Sequence, residues 1–429
     1  MLKTVKNLLV VLVLISTQKA LSQGQGSSPY ATLGVGEINS ETVAAQDMMG
    51  GAGVSFTNTF YLNQINPALI VKNRSIGFNK YVALNVGLKG AYSVLSQGAN
   101  IQENFGLNLS GISMAFPLKP KWAMAVGIKP YSSADFTAVK EKTFDGSTIK
   151  NSTEYKSSGG LTKVNMAHSF QIAKGLYFGV DASVLFGNIV KDTTSVIVGT
   201  NTYYRNSART NLHGVNLKGG LAYQYKINKK WNANIGAVYN LGSDLKGEKI
   251  RTFSVLGDNG NGPAYILAPD TLGIRNISSS LPSSVKFGVS LESAYHWVFA
   301  ADYGMTKWAG INQYDKVAQA TFKDATELNL GIEWLPNASS SKYINQIFYR
   351  AGYKQIQSPF VVNGTQILDK SFSFGISVPM GFRNPSYVDL GVAIGQRGVN
   401  SGGIIAENYT KISANFSLLS TWFNKPKID

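Results

Sequence analysis

Cysteine is missing from all 429 positions. Its absence removes disulfides, thiolate nucleophiles, cysteine-ligated zinc and the lipid-bearing cysteine of a bacterial lipoprotein. Charge is scarce as well: 15% of residues are Asp, Glu, Lys or Arg, against about 25% in an ordinary soluble protein. Acid is the scarcer sign, with 24 Asp+Glu against 40 Lys+Arg. Long apolar runs are lacking too. A spanning helix needs about 20 consecutive apolar residues, and only residues 8–15 come close, in a chain of mean hydropathy -0.03. A hydrophobic content of 44% excludes a disordered polar tail. What is plentiful is Gly (44), Phe (21) and Tyr (21), in a chain that is neither helical-membrane nor typically soluble.

The first residues predict export. Lys3 and Lys6 precede the apolar residues 8–15, and Ala20-Leu21-Ser22 is a small-x-small cleavage site before Gln23. That layout predicts a cleaved signal peptide over residues 1–22. Losing Lys3, Lys6 and Lys19 lowers the net charge from +16 to +13.

From about residue 76 the chain alternates. Leu176, Phe178, Val180, Ala182, Val184 and Phe186 form one stripe, with Tyr177, Gly179, Asp181 and Ser183 opposite. Leu84, Val86 and Leu88 alternate with Asn85 and Lys89 in the same way, as do Ile412, Ala414 and Phe416 with Ser413 and Asn415. An apolar face opposite a small-polar face, sustained over about 10 residues, is the period of a transmembrane β-strand.

Short connections fall at 117–121, 173–175, 228–230, 294–296, 336–345 and 382–385. Longer polar stretches lie at 95–104, 133–158, 191–209, 242–283, 304–323, 354–370 and 396–407. These thirteen connections predict fourteen strands, with short turns and both chain ends on the periplasmic side. Trp122, Trp231, Trp297, Trp334 and Trp422 all sit beside a short turn or the C-terminus, and only Trp308 falls in a long stretch. Indole favours the membrane–water interface, so these five read as an aromatic girdle. Lys119, Lys121, Lys174, Lys229, Lys230 and Lys342 decorate the same rim, where anionic head groups would meet them. A soluble sandwich would scatter tryptophan along its strands instead. Unpaired backbone groups are costly in lipid, so a spanning sheet must close. Fourteen strands enclose more lumen than their own side chains fill.

The expected plug is the segment 23–75, ahead of a barrel over 76–419 and a periplasmic tail over 420–429. It contains Met48-Met49-Gly50-Gly51-Ala52-Gly53-Val54 and Asn66-Pro67-Ala68-Leu69. A short helix over 40–49, capped by Ser40 and ending at Gly50-Gly51, is expected there, with Asn66-Pro67 as a turn into the first strand. These two motifs resemble the N-terminal hatch of the FadL/OmpP1/TodX family of outer-membrane proteins. The opening Ser28-Pro29-Tyr30 with Gly34-x-Gly36, and the ending Trp422-Phe423-Asn-Lys425-Pro-Lys427-Ile-Asp429, resemble the version found in Bacteroidota. The resemblance covers the mature chain in layout and only the hatch and tail in motif. It implies an all-β, closed fourteen-stranded antiparallel barrel with an N-terminal hatch in the lumen, and uptake of long-chain fatty acids and other hydrophobic compounds. Gating would then fall to Met48, Met49, Gly50, Gly51, Ala52, Gly53, Val54, Asn66, Pro67 and Ala68. Family members carry an inward kink in their third strand that opens the wall sideways. Pro130 interrupts the third strand here and removes a ladder donor, so it marks either such a window or simply the end of the strand.

Catalytic chemistry finds little support. His168, His213 and His296 have no metal-ligand spacing, and His168-Ser169 would face opposite sides of a strand. Gly34-x-Gly36 and Gly50-Gly51 lack the Lys-Ser/Thr of a phosphate loop. No enzyme activity, cofactor, metal or nucleic-acid partner is therefore expected. The expected partners are outer-membrane lipid and lipopolysaccharide and a hydrophobic small molecule, with another outer-membrane or periplasmic protein as a further candidate. Passive uptake of a hydrophobic compound is the first functional expectation. Membership of a protein secretion or assembly complex, which some Bacteroidota relatives resemble, is the alternative, and a hydrophilic porin is a weaker third.

Overall fold

The computed structural model describes residues 28–58, 60–72, 81–258, 263–293, 296–313, 320–380 and 386–421. The signal peptide over 1–22, residues 23–27 and 73–75 of the expected hatch, and the tail from Trp422 onward lie outside these described residues.

Fourteen antiparallel strands close into one barrel. In chain order they are β1 (Tyr81–Gln97), β2 (Asn100–Lys119), β3 (Trp122–Pro130 and Phe136–Thr143), β4 (Lys150–Ala173) and β5 (Leu176–Ile197). Next come β6 (Thr202–Lys226), β7 (Trp231–Asn240 and Ser243–Asp258), β8 (Pro263–Leu281 and Ser284–Ser293), β9 (Trp297–Thr306) and β10 (Ala320–Phe322 and Ala325–Trp334). The last four are β11 (Phe348–Val362), β12 (Thr365–Pro379), β13 (Tyr387–Arg397) and β14 (Ala406–Thr421). The seam closes where β14 pairs with β1, in a register that sets Asn85 opposite Ser417. Closure there leaves β1 and β14, the two ends of the sheet, each paired on both sides, as lipid demands.

Alternation decides which way each side chain points. On β5, Val180, Val184 and Phe186 are exposed on the outside, while Asp181 and Ser183 are buried within. Val215 and Leu217 of β6 are exposed in the same manner, with Asn216 and Lys218 buried between and beyond them. The outer face is thus apolar and the inner face small and polar.

Two sequence expectations are corrected. The stretches 191–209, 242–283 and 354–370 are mostly strand rather than loop: β5 and β6 continue pairing out to Val196 and Tyr203. The polar residues there are rich in Thr, Ser and Tyr, which suit a ladder even where neither face meets lipid. For the same reason His213 lies well inside β6, opposite Phe186 and Lys246. The expected helix over 40–49 shrinks to Ala44–Asp47, with Val43 and not Ser40 as its N-cap. The Ser40 hydroxyl bonds to Thr42 Oγ1 at 2.8 Å and accepts from Lys89 Nζ at 3.4 Å, which leaves residues before Val43 outside the helix.

Candidate functional site

Residues 28–58 and 60–72 thread the lumen, and the wall is shaped to receive them. After the helix the chain passes Gly50 and Gly51 at φ +66° and +88°, a left-handed conformation that glycine takes without steric cost. Met48, Met49 and Ala52 are fully buried. Their seat is made of glycines on neighbouring strands: Gly331 (β10), Gly352 (β11), Gly375 (β12) and Gly391 (β13). Any Cβ on Gly352 would stand 2.0 Å from the Gly50 nitrogen. A second seat, Gly179, Gly220 and Gly236 on β5–β7, takes Pro67, Asn66 and the Val54 carbonyl at similarly short range. Asn66 Nδ2 donates to the Val54 carbonyl (2.7 Å) and to the wall at Leu221 (3.0 Å), while its Oδ1 accepts from Ala68 N (3.0 Å). Gly53 N and Val54 N both donate to Asp302 Oδ2 of β9, at 2.7 and 2.9 Å.

Charge fixes the segment at further points. Glu41 is met by three lysines of the wall: Lys163 Nζ (2.6 Å), Lys129 Nζ (3.4 Å) and Lys218 Nζ. Burial alone would raise the Glu41 carboxyl, but the Lys129, Lys163 and Lys218 ammoniums outweigh it and hold the group well below the usual carboxylate range. Glu37 is held down in the same way against its own burial by Arg397. Asp47 pairs with Lys89 at 2.9 Å. Asn58 Nδ2 donates to Glu333, which is itself paired to Arg350 at 2.7 Å. None of these wall residues was singled out from sequence. The available signal was a lone charge on an otherwise small-polar inward stripe, such as Lys163 or Lys218, in a chain that uses charge sparingly.

Beside Pro130 the wall is interrupted. β2 and β3 pair from Lys119↔Trp122 only as far as Ile112↔Ile128. Past Pro130 the chain turns inward, where Ser132 and Ser133 pair with Ile38 and Glu37 of the N-terminal segment. Ser132 Oγ donates to the Val35 carbonyl (2.7 Å) and accepts from Leu161 N (3.2 Å), so the excursion is tied on both sides. β3 resumes at Phe136 but pairs there with β4 alone. Among the described residues, the Asn100–Gly111 portion of β2 therefore has β1 as its only ladder partner.

Trp122, Trp231, Trp297 and Trp334 stand at the short-turn ends of β3, β7, β9 and β10. Trp297 stacks on Trp334 at 5.6 Å, and Trp122 stacks on Phe170 at 5.7 Å. Trp308 sits beyond the other end of β9, buried against Phe322. The histidines are kept apart: His168 Nδ1 accepts from the Trp122 indole at 3.2 Å, while His296 Nδ1 lies 2.8 Å from the Leu335 carbonyl.

A family model described as BamG matches residues 3–429. The chain belongs to the BamG family. No curated protein matches this BamG-family chain. Solved structures of similar fold include the CymD monoaromatic hydrocarbon channel, at 16% identity and a TM-score of 0.57 over 90% of this chain and 100% of that one. The Ralstonia pickettii toluene transporter TbuX aligns at 12% identity and TM-score 0.55, covering 88% and 98% of the two chains. A Pseudomonas aeruginosa FadL homologue aligns at 13% and 0.53, covering 87% and 98%. The BamG-family barrel thus shares the fold of FadL/TodX-type outer-membrane barrels, as the resemblance implied.

Proposed function

We propose that this outer-membrane barrel lets hydrophobic small molecules, long-chain fatty-acid-like compounds among them, leave its lumen sideways through the seam between β2 and β3. The observation that carries this reading is the loss of β2–β3 pairing past Ile112 and Ile128, next to Pro130. The β2 side of the seam presents an apolar outer face, with Phe105, Leu107 and Leu109 exposed. Met48–Val54 and Asn66–Ala68 would gate by shifting on their glycine seats and releasing the bonds of Gly53 and Val54 to Asp302 and of Asn66 to the Leu221 carbonyl. The likeness to a hydrocarbon channel and a toluene transporter supports the class of cargo. Introduced cysteines at Gln102 and Thr137, whose side chain and carbonyl already approach to 3.3 Å, would tie the seam shut with a short cross-linker. Flux of a fluorescent fatty acid or of toluene into proteoliposomes should then fall, and recover on reduction. Undiminished flux with the seam closed would sink the lateral route.

One observation favours a second reading, an accessory subunit of an outer-membrane protein secretion or assembly complex. The lumen segment is bonded to the wall through Glu37, Glu41, Asp47, Gly53 and Asn66, each by charged or paired hydrogen bonds. A plug so held suits a scaffold. Mild-detergent extraction that returns a stoichiometric protein partner, together with absent flux, would select this reading over the first.

A further inference from the structure

The wall from β2 to β6 is dented. Ile112 and Met114 of β2, Val126 and Ile128 of β3, Met166 of β4 and Val184 of β5 line a concavity of about 800 Å³. The residues between them on the same strands, Ser113 and Ser183, are buried toward the lumen, while Ile128, Met166 and Val184 are exposed outward. The dent therefore faces lipid.

Below it lies a basic rim. The turns under the denting strands carry Lys119 and Lys121 (β2–β3), Lys174 (β4–β5), and Lys226, Lys229 and Lys230 (β6–β7), all exposed. Among the described residues, the β8–β9 and β10–β11 turns across the barrel bring Lys342 alone; Arg383 of the β12–β13 connection lies outside them. Between rim and dent sits the stacked pair Trp122 and Phe170. The reach is right for one leaflet. Val126 is four residues above Trp122, about 13 Å of strand, and a tilt of 35–45° leaves roughly 10 Å of height. That is within half of a hydrocarbon core of about 30 Å.

We propose that dent and rim form one binding site for an anionic glycerophospholipid of the periplasmic leaflet. An acyl chain fills the concavity, the Trp122–Phe170 pair lies at glycerol depth, and the phosphate meets the lysines. Charge complementarity selects this occupant over a protein wall: an apolar dent alone would accept any hydrocarbon, but the lysines gathered under these strands select a negative head group. The site depends on placement in the outer membrane and not on transport, so a barrel with no flux would still hold its lipid.

Native mass spectrometry of the full chain in detergent tests this, with phosphatidylglycerol and phosphatidylcholine of matched acyl chains as probes. One phosphatidylglycerol adduct should survive collisional activation that strips phosphatidylcholine. Combined Lys119→Glu, Lys121→Glu and Lys174→Glu should reduce it roughly tenfold or more. Val184→Trp, which fills the dent without touching the rim, should reduce it separately, and Lys342→Glu should leave it unchanged. Heat-modifiable gel migration checks that each variant is folded, and the dent-filling variant keeps the test open if the charge-reversed barrel fails to assemble. Equal retention of the two lipids, equal loss in Lys342→Glu, or an adduct indifferent to Val184→Trp overturns the proposal. So does a polypeptide that occupies the wall in membrane extracts and is released by Val184→Trp.

Discussion

Arg397 at the end of β13 and Glu37 of the lumen segment meet in a two-bond fork, Nη2 to Oε1 at 2.7 Å and Nη1 to Oε2 at 2.9 Å. The same guanidinium bonds Asp369 of β12 at 3.0 Å and lies 3.7 Å from Glu407 of β14. One arginine thus balances three carboxylates from two barrel strands and the segment they enclose. Its removal leaves Asp369 and Glu407 buried with Lys411 as their remaining cation, and breaking a buried pair from one side costs about 3–5 kcal/mol. Arg397→Met should lower thermal stability in detergent by that order. Glu37→Gln keeps the arginine paired to the wall and should cost far less, while speeding proteolysis of the lumen segment. A smaller effect from Arg397→Met than from Glu37→Gln would refute this division of labour.

Acid should loosen the segment late. Glu41 and Glu37 have folded-state values below the ordinary 4.5. A depressed carboxyl contributes stability that is present in full above its unfolded value and is lost as pH falls through the folded one. Retention of the segment, read by hydrogen exchange over residues 35–54, should therefore be flat from neutral pH down to the ordinary carboxylate range and decline only beneath it. Glu41→Gln should already exchange faster at neutral pH, because Lys129, Lys163 and Lys218 are then left without their shared carboxylate, and its remaining acid response should be shallower. A decline that begins above the ordinary carboxylate range would contradict the assignment.

The strand number and the inward and outward faces were legible because both are local: alternation in Leu176–Phe186 reads directly as one wall. Pro130 was legible as a break, and the break is where β3 leaves β2. What could not be read was long-range. Gly179, Gly220, Gly236, Gly331 and Gly352 look like unremarkable small residues until the register brings them against Pro67, Asn66, Val54 and Met49. Lys129, Lys163 and Lys218 are up to 89 positions apart and 88 or more from Glu41, so no spacing rule connects them. The helix was overread because Ser40 caps well in principle, yet its hydroxyl is taken by Thr42 and Lys89.

Close approach at the glycine seat gives a sharper test of packing than of charge. Gly352→Ala would set a methyl 2.0 Å from the Gly50 nitrogen and 2.2 Å from the Met49 carbonyl carbon, backbone atoms with little freedom to retreat. Overpacking of this kind costs about 1–3 kcal/mol, occasionally more. Gly219→Ala on β6 meets nothing within 4 Å and serves as the control. Chemical unfolding in detergent should separate the two, with Gly352→Ala destabilised and Gly219→Ala close to the parent. Equal midpoints would mean that the lumen segment does not rest on this wall.

The seam makes its own signature in exchange. Strand amides that lack a ladder partner open to solvent far more readily than those bonded on both sides. Ile112, Met114 and Phe116 pair with Ile128, Val126 and Met124 on one side of β2, and the first two also face β1 residues on the other. From Asn100 to Gly111, β1 supplies the only ladder partner among the described residues. Hydrogen exchange of the barrel in nanodiscs should therefore divide β2 at Gly111. Amides from 112 to 116 should be protected on the timescale of global opening. Every second amide from 101 to 109 should exchange orders of magnitude faster, since alternate N–H groups of an antiparallel strand point to opposite neighbours. Pro130→Ala should leave that boundary where it is, because Ser132 and its bonds to Val35 and Leu161, and not the proline alone, hold the chain inside. Ser132→Ala removes both bonds and should blur the boundary. Uniform protection along β2 in the parent protein would show the wall to be closed and take the lateral route with it.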